Sequence, residues 1–192
     1  MGPLWYEAMQ ISGMPMDDRL WTRDDVPHSS FPACIAVKCA ALQSTEAEES
    51  YLRLLREAVM LKGKNIARQE VLMAVARDLE KQDPSVFNSD QFEKDLNAGT
   101  GHQAFREDIK EVRYNNIVRF PTLTISRQGK GIVIVGFRPY EALLEAIRVM
   151  IPDLKPAHEN LRKEDYLAFW KSATEREIAE IIQPKNTEQF QA

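Results

Sequence analysis

Residues 117–151 read IVRFPTLTISRQGKGIVIVGFRPYEALLEAIRVMI and carry the clear β signal of the chain. From Leu123 to Ser126 apolar and hydroxyl residues alternate, so Leu123 and Ile125 share one face of a strand while Thr122, Thr124 and Ser126 share the other. The polar Arg127-Gln128-Gly129-Lys130 separates this strand from four β-branched residues, Ile132 to Val135, closed by Gly136. That order predicts a hairpin. The second strand has no polar face, which predicts cover on both sides of a sheet. After Pro139, suited to a first helical turn, Leu143, Leu144, Ile147, Met150 and Ile151 recur at helical spacing and supply cover for one side. A lone hairpin is marginal in water, so it should belong to a wider sheet. Its neighbours must be a segment read as helical, another chain, or part of a longer protein.

The 192 residues suffice for one well-buried core, with room for a subdomain. A net charge of −4 with acids and bases interspersed gives no footprint for nucleic acid. No apolar run approaches the ~20 residues of a membrane span, and Met1-Gly-Pro-Leu-Trp lacks the basic start and apolar core of a signal peptide. The expectation is a cytoplasmic protein with no nucleic-acid and no membrane partner. Cys34 and Cys39, if helical, point about 140° apart, which puts them beyond disulfide reach. They read as small core or boundary thiols.

Residues 1–28 form a loop and short-helix region in which Trp5, Tyr6, Met9, Met14, Met16 and Trp21 are broken by Gly13, Pro15 and Pro27. Five helices follow before the hairpin. Ser29 or Ser30 caps the first, with Pro32 in its first turn. Its alanines let other helices approach closely. Thr45 with Glu48 predicts a capping box for the second, Asn65 introduces the third, and Asp83-Pro84 stops it. Ser89 is the expected cap of the fourth. Beyond the hairpin and its helix, Tyr166, Leu167 and Trp170 predict a short helix, and Thr174 with Glu177 predicts a capping box opening onto Ile178, Ile181 and Ile182. The expected segments are residues 1–28, a helical block over 29–116, the hairpin half over 117–151 and a helical appendage over 152–192.

Motifs for chemistry are sparse. Gly99-x-Gly101-x-x-Ala104 fits a loose dinucleotide fingerprint, but it follows a helical pattern rather than a strand, so it reads as one helix ending and the next beginning. His28, His102 and His158 form no ligand spacing, so no metal and no cofactor is expected. No G-x-S-x-G turn exposes a serine nucleophile.

The order of a helical block, Arg119-Phe120-Pro121-Thr122-Leu123-Thr124, a hairpin, Gly136-Phe137-Arg138-Pro139-Tyr140-Glu141 and a final helix resembles the C-terminal two thirds of the DsbA-like thioredoxin-fold family. Ser29 to Lys38 and Tyr51 to Ala58 are similar to its cytosolic, FrnE-like branch of thiol-disulfide oxidoreductases. The resemblance implies a mostly helical chain with a β-hairpin, an α/β thioredoxin-like fold with a helical insertion. Pro121 then matches the family's cis-proline, whose geometry turns the backbone of Phe120 to a partner that pairs as an added strand. Arg119, Phe120, Pro121 and Thr122 are the implied substrate-binding loop, with Trp5, Met14, Met16 and Ser30 rimming the cleft. The family's N-terminal β-α-β unit with Cys-x-x-Cys has no counterpart here, so no catalytic residue is assigned and a truncated form is expected.

Three readings follow. The first is a thiol-disulfide oxidoreductase family protein that carries the cis-proline half, with protein thiols, disulfides or a small thiol as partner. The second is a glutathione-dependent isomerase or transferase of related fold. The third is a non-catalytic helical module that binds peptides or a subunit, including a second copy of itself through unpaired strands.

Overall fold

A computed structural model describes residues 2–155 and 162–182. Helix α1 spans Gly2–Ser12, a 3-10 turn spans Asp18–Thr22, and α2 (Phe31–Ala41), α3 (Thr45–Met60), α4 (Gln69–Gln82), α5 (Ser89–Ala98) and α6 (Gly101–Tyr114) follow. Strands β1 (Thr122–Arg127) and β2 (Lys130–Val135) precede α7 (Tyr140–Met150), α8 (Lys163–Trp170) and α9 (Glu175–Ile182). The described residues fall into two compact units, one within Met1–Phe105 and Leu161–Ala192, the other within Arg106–Asn160. No described helix is long and apolar enough to cross a membrane.

Three caps differ from the sequence reading. Ser44, extended at φ −172° and ψ 166°, accepts from the Ala47 amide and caps α3 in place of Thr45, because a cap must leave the helical conformation while its neighbour enters it. Asn88 caps α5 through the Gln91 amide at 2.7 Å, and the buried Ser89 instead donates to Glu80 Oε2 at 2.5 Å. Asn65 closes a turn onto the Ala67 amide and donates to Asp25, so α4 starts later, at Gln69. Ser30 holds the cap position of α2 without a side-chain bond, while Ser29 Oγ accepts from the Phe31 amide.

In the first unit α2 lies against α3, α4 and α5. Its Ala33, Ala36 and Ala40 are buried, and the small side chains admit the close approach. The bulk of the core comes from Tyr51, Phe87 and Phe92, with ring centroids 4.9–5.8 Å apart. Tyr51 is fully buried and donates to the Leu72 carbonyl at 3.1 Å, which satisfies its only polar atom. Gly99, at φ 71°, ends α5 in the left-handed conformation. Gly101 opens α6 against α2, where an added Cβ would sit 2.6 Å from the Ile35 carbonyl and 2.7 Å from Cys39 Sγ. The two glycines thus punctuate helices, without the strand-to-helix junction of a dinucleotide fingerprint.

The second unit is built differently. Gln128 (φ 51°) and Gly129 (φ 77°) make the two-residue turn whose twist suits a tight hairpin. Arg127 pairs with Lys130, and the ladder runs back to Thr122 opposite Val135. Among the described residues this is a two-stranded sheet. Helix α7 packs on the hairpin, leaving Ile125, Ile132 and Ile134 half-buried. Val133 on the opposite face is 62% exposed and Val135 is 41% exposed. Among the described residues the expected cover on the second face of β2 is absent, because one helix shields only one face. Every buried apolar side chain among the described residues, from Leu20 to Phe92, belongs to the first unit.

Candidate functional site

The loop Arg119–Thr122 enters β1 through a cis Phe120–Pro121 peptide bond. Thr122 Oγ1 donates to the Arg119 carbonyl at 2.6 Å, and the Gly136 amide donates to the Pro121 carbonyl at 2.8 Å. Gly136 sits at φ 77° with the Arg119 side chain alongside, the Nε lying 3.6 Å from where a Cβ would be. These bonds fix the loop from behind. Its outer surface is open: Arg119, Phe120 and Pro121 are exposed, with Phe120 at 71%.

The ladder register fixes which main-chain groups of β1 are free. The two-residue turn makes Arg127 and Lys130 a hydrogen-bonded pair, so Ile125 with Ile132 and Leu123 with Ile134 are bonded pairs as well. The N–H and C=O groups of Thr122, Thr124 and Ser126 therefore point away from β2. Among the described residues no strand meets them. Arg119, Arg127, Lys130 and Arg138 are the charged residues between 117 and 140, with no acid among them. The edge is a template for a further strand, within a sequence segment whose charges are all positive.

The four residues expected to rim the cleft belong to the first unit, so each is placed within that unit. Trp5 packs edge-on against Trp21 at 5.3 Å. Ser30 sits at the cap position of α2, where its carbonyl accepts from the Cys34 amide and its side chain makes no capping bond. Met14 and Met16 come together, lining a pocket with Met60, Leu61, Arg53, Arg56 and Glu57 of the α3 region and Thr174 and Glu177 near α9.

Both cysteines are free. Cys39 is fully buried, and that burial pushes its thiol pKa up, with the Gly101 amide opposing and Asp95 adding to the rise. A thiol so placed is a poor nucleophile at neutral pH. Cys34 is half-buried on α2. Among the described residues no group of three His, Cys, Asp or Glu side chains converges as a metal site would require.

Sequence reading missed the polar centre of the first unit. Arg53 on α3 bonds Glu57 at 3.0 Å, Glu177 at 2.5 Å, the Tyr166 hydroxyl and the Ser172 carbonyl, and its guanidinium lies 5.3 Å from the Trp170 ring centroid. The Thr174–Glu177 capping box is formed in both directions, at 3.2 and 2.8 Å. Partial burial pushes the Glu177 carboxyl up, but the bonds from Arg53, the Thr174 amide and Tyr166 outweigh it and hold the pKa at about 2. The available signals were Arg53 and Glu57 at helical i,i+4 spacing and the capping box. Neither says that α3 and the capped turn before α9 meet.

A family model described as Thioredoxin matches residues 4–145. The chain is similar to the ClpXP adapter protein SpxH of Bacillus subtilis (strain 168), 27% identical over 179 residues, which cover 91% of this chain and 58% of that protein. It is also similar to the protein of the same name from Halalkalibacterium halodurans, 23% identical over 182 residues, 93% of this chain and 57% of the relative. A third, from Shouchella clausii (strain KSM-K16), is 26% identical over 152 residues, 78% of this chain and 48% of the relative. The chain spans about half the length of the curated relatives it matches.

Proposed function

The chain belongs to the Thioredoxin family, whose model covers most of its length, and from that premise we propose that it is a protein-binding member acting as an adapter for ClpXP, as the relatives are named. The cargo is held as an extended segment along the outer edge of β1, beside Arg119, Phe120, Pro121 and Thr122. The observation that carries this reading is the free edge itself: Thr122, Thr124 and Ser126 present main-chain donors and acceptors to an incoming strand. The positive charge of residues 117–140 suits cargo with acidic residues near the pairing segment. The DsbA-like, FrnE-like assignment fits the same loop as the partner-contacting surface. Thiol-disulfide exchange by the chain's own cysteines forms no part of the proposal, since Cys39 is buried and no second thiol completes a Cys-x-x-Cys with Cys34. The proposed setting is the cytoplasm, which suits two unpaired cysteines.

The test uses proline as an edge block. Thr124→Pro removes an outward donor and leaves the β1–β2 bonds in place, because proline is tolerated at a strand edge. Val133→Pro does the same on the outer edge of β2. A cell extract is incubated with ClpXP with and without the chain, and protein turnover is followed by quantitative mass spectrometry. The proposal expects a subset of proteins to be degraded faster with the chain, with the gain lost in Thr124→Pro and kept in Val133→Pro. No accelerated protein, or equal performance of wild type and Thr124→Pro, would refute it.

A further inference from the structure

In the first unit, Met14, Pro15 and Met16 line a half-open pocket of about 240 Å³ beside Met60 and Leu61 at the end of α3. We infer that this pocket is a second peptide-binding site, taking one apolar side chain of a partner polypeptide whose neighbouring residue carries a carboxylate. Three observations carry the assignment.

The size comes first. At about 240 Å³ the pocket is below the roughly 300–1,000 Å³ of sites for drug-sized ligands. It suits a single leucine, methionine or phenylalanine side chain. The lining comes second. Met14, Met16 and Met60 supply three thioether side chains beside Pro15 and Leu61. Unbranched, polarisable methionines adapt to varied apolar groups, as at surfaces that accept different peptides.

Charge comes third. Two carboxylates line the pocket, and both are engaged by the protein. Glu57 Oε1 accepts from Arg53 Nε and the Ser172 hydroxyl. Glu177 accepts from Arg53, Tyr166, the Thr174 hydroxyl and the Thr174 amide. The Thr174 hydroxyl also approaches Met14 Sδ at 3.8 Å. Arg56 is exposed at the pocket and makes no bond or ion pair in this network. It is the wall's available cation, so an acidic group beside the anchored side chain completes the polar pairing. No residue of the β1 edge lines this pocket.

The probe is acetyl-leucyl-glutamic acid amide, titrated into the full chain labelled with [methyl-13C]methionine and followed by NMR. The methyl signals of Met14, Met16 and Met60 are expected to shift saturably. The glutamine analogue should bind about tenfold more weakly, and an alanyl-glutamic acid amide should leave the three signals in place. Arg56→Gln should bring the Glu and Gln peptides to equal affinity. Arg56→Glu should reverse the preference towards acetyl-leucyl-lysine amide, with the unliganded methyl spectrum of each variant reporting its fold. Unmoved methyl signals, equal binding of the Glu and Gln peptides to wild type, or an undiminished Glu preference in Arg56→Gln would overturn the assignment. None of these results depends on ClpXP activity.

Discussion

Replacing Arg53 with methionine should release the segment 163–182 from α3 while leaving the helical core folded. Methionine keeps much of the volume and removes the charge. Both partners of the Arg53–Glu177 pair are largely shielded, with side-chain exposures of 18% and 17%. Removing one partner of a fully buried pair costs about 3–5 kcal/mol, and the remaining solvent contact lowers this to about 2 kcal/mol. Loss of the guanidinium beside Trp170 adds about 0.5–1 kcal/mol. A loss of about 2.5–3 kcal/mol corresponds to a fall of roughly 60- to 150-fold in amide protection. Native-state hydrogen exchange reads it: amides of α8 and α9 should lose that protection while those of α2 to α5 keep theirs. Glu177→Gln, which retains shape, should show the same pattern at smaller size. Unchanged protection in α8 and α9, or an equal fall in α2 to α5, would refute the view that Arg53 clamps this segment locally.

Acid should act on the same clamp. Glu177 is held at about 2 against an ordinary 4.5, so its contribution is fully present above about pH 4.5 and is lost as pH falls towards 2. Solvent screening limits that contribution to about 1–2 kcal/mol. The Trp170 indole resonance should move through this interval in wild type and lose most of the transition in Glu177→Gln; an identical transition in both would contradict the assignment. Gly101→Ala should lower the urea midpoint with an unchanged slope, by about 2 kcal/mol, because the new Cβ meets the Ile35 carbonyl and Cys39 Sγ below 3 Å; a neutral effect would show that α2 and α6 separate freely. Under native conditions a thiol reagent should modify Cys34 and spare Cys39 until the chain is denatured. An insulin-reduction assay should show no turnover; turnover abolished by Cys34→Ser would contradict the non-catalytic reading.

The hairpin was legible because its signals are local. Alternation in β1, the Gln128-Gly129 turn and the β-branched run of β2 each specify conformation without a partner, and the register follows from the turn length. The helices were legible from their apolar periodicity, but their first residues were not. Ser44 and Thr45 can both cap, as can Asn88 and Ser89, and the choice rests on which one takes the extended backbone angle. The cis bond at Pro121 was expected only through family resemblance, since a proline alone carries no signal that its peptide bond is cis. The Arg53 centre stayed hidden because it joins side chains more than a hundred residues apart. For the same reason Met14 and Met16, expected at a cleft rim, were not foreseen against the end of α3.

Pairing of cargo with the outer edge of β1 is measured directly by amide exchange at that edge. A cargo protein selected by chain-dependent ClpXP turnover is bound to the full chain, and exchange is followed residue by residue. The amides of Thr122, Thr124 and Ser126 should become slow in the complex, while those of Gly131, Val133 and Val135 on the outer edge of β2 keep their free rates. A complex that forms with Thr122, Thr124 and Ser126 exchanging as fast as in the free chain would contradict the claim.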